Sequence, residues 1–360
     1  MSVSKRSVED APLNGFHRKL TVYSAGGPFL DGYVLSIIGV AMLQITNALQ
    51  LSALWEGLIA ASALIGVFLG GFLGGWFTDK YGRKVLYLID LVAIVGFSVA
   101  QFWVESAWAL FAWRLLIGIA VGADYPIATS LLAEFLPRKQ RGPLLAAMVL
   151  MWFAGAAVAY MVGELLLRVG GEDGWRYVLA SALIPGALFL IARSGTPESP
   201  RWLLSKGRTA EADAVIKKVY GPDYSIADLP EQTTDKPVSV WSLFHSGYGK
   251  RMAFVTLFWT CAIVPLFAIY SFAPKVLQAL QLTGDWAAFG SIAITLLFTL
   301  VCPGGHQTDQ PPGPAQHADP QLPLVGYVAG AAGRRPGCLA NHRTGAVRRL
   351  CRADRRRPGA

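Results

Sequence analysis

Gly75-Trp76-Phe77-Thr78-Asp79-Lys80-Tyr81-Gly82-Arg83-Lys84 is a short charged stretch between two long apolar ones. An apolar run that ends in Asp, Lys, Gly, Arg and Lys, and is apolar again from Val85, reads as a tight hairpin between two membrane helices. The composition agrees. The 360 residues are 53% hydrophobic and only 15% charged, with a mean hydropathy of +0.42, whereas about 25% charge is usual in soluble domains. The apolar residues gather in blocks of roughly 20, the length that crosses a bilayer core. An all-α, polytopic membrane protein is expected, with spans near 30–51, 55–77, 85–104, 108–135, 144–167, 176–193, 252–273 and 286–302.

Lys and Arg are spread unevenly along this pattern. The N-terminal tail, the Asp79–Lys84 loop, the Pro137–Gly142 loop and the 194–250 segment are basic, and the alternate loops carry few positive charges. By the positive-inside rule every basic connection then lies on the cytoplasmic side, as does the N-terminus. The net charge of +9 reads as this bias rather than as a nucleic-acid footprint. No cleavable signal pattern precedes the first span. Cys261, Cys302, Cys338 and Cys351 have neither disulfide-framework nor metal-site spacing. With no phosphate-binding loop and no nucleophile or metal constellation, neither enzyme activity nor a cofactor is expected.

The expected organisation is a tail (1–29), a six-helix unit (30–193), a linker (194–250), two further helices (251–302) and a basic tail (303–360). Within the linker, Arg208–Val219 reads as a short amphipathic helix through Ala210, Ala214, Val215 and Val219. From Pro303 to Ala360 there is one aromatic residue, Tyr327, amid Pro, Gly, Ala and Arg. A frameshift is expected to explain that change. His306–Gln316 can be encoded so that a reading one base later gives Ile-Lys-Leu-Ile-Asn-Arg-Leu-Gly-Arg-Arg, a charged loop like the one at Gly75. A natural disordered basic tail is the other reading.

Four patches carry a family resemblance. Besides the opening loop, they are the run from Arg114 through Gly118 to Gly122, the stretch Ala133-Glu134-Phe135-Leu136-Pro137 with Arg141-Gly142, and Pro197-Glu198-Ser199-Pro200-Arg201-Trp202-Leu203. In this order they resemble the sugar-porter branch of the major facilitator superfamily. The start of the first span, Gly26-Gly27-Pro28-Phe29-Leu30-Asp31-Gly32-Tyr33, is similar to that of uncharacterised bacterial metabolite transporters of this branch. The resemblance implies two six-helix halves that rock about a mid-membrane substrate site. It covers a complete N-terminal half plus one to two helices of the second.

Charged residues inside spans are functional candidates by default. Asp31 could carry a coupling proton, although proton-using sugar porters often place the acid at the position of Val34. The resemblance implies that Arg114 faces the cavity and partners the first-helix acid. Asp124 lies further along the same span, with its pairing open. Asp90 and Glu164 read as interfacial. Asp79, Arg83, Glu134, Arg141, Glu198 and Arg201 are expected to form a cytoplasmic gate of ion pairs that rocking breaks. Gly70, Gly71, Gly74 and Gly75, with Gly118 and Gly122, read as close helix contacts.

Sugar porters usually carry paired Gln on the seventh helix, where this chain has Cys261 and Ala262. The expected cavity is therefore apolar and aromatic, with Trp152, Trp259 and Tyr270 as walls. It suits an organic acid or aromatic metabolite neutralised by Arg114 at least as well as a sugar. The expected function is proton-coupled secondary transport of a small organic solute, with protons and the bilayer as partners and a monomeric state, in a bacterial inner membrane. The alternative is an inactive, truncated product of a transporter gene.

Overall fold

A computed structural model describes residues 7–229, 249–279 and residue 293. The expected span at 286–302, the polar part of the linker from 230 to 248 and the tail at 303–360 lie outside the described residues, apart from that single position. The described residues belong to one unit that ends at Gln307.

All regular elements among them are helical. The long helices are α1 (Gly15–Ala48), α2 (Ala53–Tyr81), α3 (Arg83–Ala100), α4 (Ala107–Phe135) and α5 (Arg138–Gly170). Two shorter ones follow, α6 (Gly174–Ala180) and α7 (Leu183–Arg193), then α8 (Pro200–Ser205), α9 (Thr209–Tyr220) and a long α10 (Gly249–Ala279). Six continuous helical stretches are long and apolar enough to cross a membrane, one of them running over α5 to α7 as Arg138–Arg193.

Local chemistry sets the ends. Asn14 caps α1 by accepting from His17 N–H, and the His17 ring accepts from Asn14 N–H in return. Ser52 and Ser106 cap α2 and α4 in the same way, each accepting from the third amide on. α1 therefore begins well before the expected span start at 30, and residues 15–29 are helix rather than tail. The expected sixth span is two helices. Pro185 has no N–H and its ring collides with the carbonyl one turn earlier, at Ser181, where the chain turns. Ser181 Oγ instead meets the Tyr33 hydroxyl at 2.6 Å.

α1 is central, with Leu30, Tyr33, Val34, Ile37, Ile38, Met42 and Ile45 all buried. It packs on α5, α4, α6, α7 and α10. The closest pairing is α2 against α4. A Cβ at Gly66 or Gly70 would overlap the backbone at Leu115 or Ile119, and one at Gly118 or Gly122 would overlap that at Ala63 or Val67. The contact stripe is thus Gly66, Gly70 and Gly74. Gly71 barely approaches α4 and Gly75 meets nothing, because they lie one residue round the helix from the stripe.

The amphipathic helix α9 buries Ala212, Ile216 and Val219. Ala210 and Ala214 of the expected apolar face are exposed. The i, i+4, i+7 spacing of the buried set fits one helical face; Ala210 and Ala214 fall off it.

Candidate functional site

Two acids of the spans, Asp90 and Asp124, meet at Arg193, the last residue of α7. Its Nη1 donates to Asp124 Oδ1 at 2.7 Å and its Nη2 to Asp124 Oδ2 at 3.2 Å, a two-pronged pair with both side chains fully buried. Asp90 Oδ2 lies 3.8 Å from the same Nη1. The guanidinium sits over the Tyr87 ring, 3.9 Å from its centroid, and donates to the carbonyls of Tyr23 and Tyr87 at 3.3 and 3.2 Å. It also reaches the Ser24 carbonyl at 3.5 Å. That acceptor is free because Pro28, one turn on, has no N–H to offer it.

The pair is pressed against α1 at Gly27, where an added Cβ would overlap Arg193 Nη2 and Asp124 Oδ2. Asp31 is four residues further along the same face of α1. It is 1% exposed, and neither carboxylate oxygen has a hydrogen-bond donor. Asp31 interacts electrostatically with Asp124 and Arg193.

Two sequence expectations change here. Asp90 is not interfacial; it is buried in the cluster, with Oδ1 accepting from Leu91 N–H at 2.7 Å. Arg114 is buried, but among the described residues no carboxylate pairs with it. Its Nη1 donates to the Val34 carbonyl at 3.0 Å and its Nε has no acceptor. The company of Asp31 is Asp124 with Arg193, not Arg114. Arg193 itself was the missed residue. Its signal was a cation closing an otherwise apolar span, masked by the basic linker that follows. Glu164 is part-exposed and pairs with Arg168 at 3.0 Å.

Of the expected aromatic walls, Trp152 and Tyr270 meet, with ring centroids 5.7 Å apart, and Phe267 joins them at 5.7 Å from Trp152. Tyr160 donates its hydroxyl to the Tyr270 carbonyl at 2.7 Å, which fastens α10 to α5. Trp259 is not in this group; it is 44% exposed on α10. A separate cleft of about 660 Å³, lined by Gln44, Asn47, Leu167, Glu172 and Asp173 among others, opens near the far ends of α1 and α5, away from the Arg193 cluster.

The loop residues form a network at the end of the bundle where α2 passes into α3. Gly82 links these helices with φ of +104°, a backbone that L side chains rarely adopt. The Glu198 carboxylate accepts from Arg83 and Lys84 N–H at 3.1 Å each, closing the start of α3. Arg83 pairs with Glu134, and Ser199 donates to the same carboxylate. Asp79 enters through its carbonyl, which accepts from the Trp202 indole at 3.3 Å, and its carboxylate acts on Arg83 electrostatically. Arg141 and Arg201 meet at Glu9, each at 3.4 Å. Sequence reasoning missed Glu9, which lies in a short turn outside every motif.

The sequence matches the family model for "Sugar (and other) transporter" over residues 19–303. The chain belongs to this family. It is 44% identical over 299 residues to the putative metabolite transport protein YaaU of Escherichia coli, over 82% of this chain and 66% of that one. It is 40% identical to the inner membrane metabolite transport protein YgcS of the same organism, over 78% of this chain and 63% of that one. The chain thus spans just under two thirds of these relatives. The fold is similar to that of the major facilitator superfamily proton:xylose symporter XylE in a structure with 6-bromo-6-deoxy-D-glucose. The TM-score is 0.65 at 25% identity, over 81% of this chain and 69% of that one. The protein is a sugar-porter-like integral membrane protein, with the six-span N-terminal half of that fold.

Proposed function

We propose that this family member acts in proton-coupled secondary transport of a small organic solute by alternating access, with Asp31 carrying the proton. One observation carries the reading: a carboxylate 1% exposed, without a hydrogen-bond donor, beside a bidentate Asp–Arg pair. An unpaired buried charge costs several kcal/mol, so Asp31 is a group whose charge state and surroundings must change together. The likeness to metabolite transporters and to a proton:xylose symporter supports the same class.

The loop network then lies on the cytoplasmic side, as does the N-terminus, in keeping with the basic bias of those loops. Arg114, whose Nε is unpaired, is the cation offered to an anionic solute, and the Trp152–Tyr270–Phe267 cluster is the apolar wall. An organic or aromatic acid fits these groups better than a sugar, whose hydroxyls each need a partner.

The test is uptake by proteoliposomes of the chain, with external pH recorded as candidate acids and sugars are added. Alkalinisation driven by a solute, lost in Asp31→Asn, is the expected result. Proton uptake unchanged in that variant would remove Asp31 from the role, and absence of uptake for every solute would favour a chain that does not transport by itself.

A further inference from the structure

Coupling through Asp31 alone leaves Asp90 unexplained. Two buried acids, Asp90 (α3) and Asp124 (α4), lie within ion-pair distance of one guanidinium, that of Arg193 (α7), and a third, Asp31 (α1), interacts with it electrostatically. Resting on the proton-coupled reading above, we propose that Asp90 is a second proton-binding carboxylate of the transport unit, with Arg193 as its positioning residue.

Charge balance is the first argument. Asp124 takes both prongs of Arg193 and cancels its charge. With every acid ionised, Asp31 and Asp90 would then leave two negative charges in a buried site. Among the described residues, the other charged or titratable groups facing this space are Tyr87 on α3 and Tyr125 on α4, neither a cation. Arg114 is ten residues before Asp124 on α4, about 15 Å of helix rise away, and is engaged at Val34. The balancing positive charge must therefore be carried by the acids themselves, as protons.

Geometry is the second argument. Asp90 Oδ1 is occupied by Leu91 N–H, but Oδ2 has no donor. It sits 3.8 Å from Arg193, facing the Asp124 carboxylate. Two carboxylates settle face to face when a proton lies between them. Arg193 holds Asp124 in place for that contact. Once Asp90 has released its own proton, one passing from Asp31 to the Asp90 carboxylate breaks one O–H bond and forms another, while Arg193 keeps its charge.

The experiment is pH-difference infrared spectroscopy of the full chain in lipid nanodiscs, with protons and deuterons as the probe. It needs no transported solute, so failure of the uptake assay leaves it intact. The carbonyl band of protonated carboxyl groups should fall to about half in Asp31→Asn and in Asp90→Asn, and vanish in the double variant. In Arg193→Gln it should grow, because Asp124 loses its counter-ion. Loss of the whole band in Asp31→Asn alone, or a band unchanged in Asp90→Asn, would overturn the proposal. Should Asp90→Asn not fold, Asp90→Glu decides: the band shifts in frequency if residue 90 holds a proton and stays put if it does not.

Discussion

Arg193 holds both oxygens of Asp124, at 2.7 and 3.2 Å, across the face of α1 where Gly27 leaves room for them. The contact joins α4 to the end of α7 and is wholly buried. Removing one partner strands the other charge, which typically costs 3–5 kcal/mol. Arg193→Gln and Asp124→Asn should each lower the thermal midpoint in detergent by an amount matching about 3–5 kcal/mol. The double variant should cost less than the sum of the two. Simple additivity would show that the pair does not couple.

Gly27 should tolerate no side chain. Gly27→Ala places a methyl group on Arg193 Nη2 and Asp124 Oδ2, and overpacking of this kind costs about 1–3 kcal/mol. Gly75→Ala, in open space, is the matched control. Equal midpoints for the two variants would contradict the close approach at Gly27.

Glu198 should protect the start of α3. Its carboxylate takes the amides of Arg83 and Lys84, the role of an N-terminal cap, where truncation to Ala costs about 0.5–2 kcal/mol. In Glu198→Ala the amides of Arg83 and Lys84 should exchange with solvent faster, and those of α6 should not. Unaltered exchange at both amides would mean that Gly82 alone sets the turn.

Glu9 receives Arg141 and Arg201 at 3.4 Å on a part-exposed surface. Such pairs contribute about 0–1 kcal/mol and weaken with salt. Glu9→Gln should leave the thermal midpoint within that range while hastening proteolytic cleavage in the first residues, more at low salt than at high. Cleavage rates independent of the substitution would dismiss Glu9 as an anchor.

Tyr160→Phe removes the hydroxyl donated to the Tyr270 carbonyl at 2.7 Å. The expected loss is about 0.5–1.5 kcal/mol, seen as faster hydrogen exchange on the Tyr270 side of α10 with α2 unchanged. No difference in α10 would show that ring packing with Trp152 is sufficient to hold it.

Much was legible in sequence because hydropathy and charge bias are local. The Asp79–Lys84 hairpin and the small-residue spacing of α2 and α4 each depend on residues within a few turns. Asp31, Arg114 and Asp124 stood out because a charge within an apolar run is costly wherever the chain later goes. Trp259 was misplaced for the converse reason: which face of α10 meets α5 is set by the partner, not by the aromatic residue itself.

The sequence by itself thus determined that the chain is a bundle of membrane helices, which family's loops it carries and that Asp31, Arg114 and Asp124 lie within spans. Only the tertiary structure decided how those charges pair. Asp124 finds Arg193 rather than Arg114, Asp90 joins them instead of facing the interface, and Asp31 is left without a donor. The Asp124–Arg193 contact spans 69 positions. It depends on Gly27 and Pro28 clearing space and freeing a carbonyl on a third helix, and no local pattern encodes a meeting among three segments.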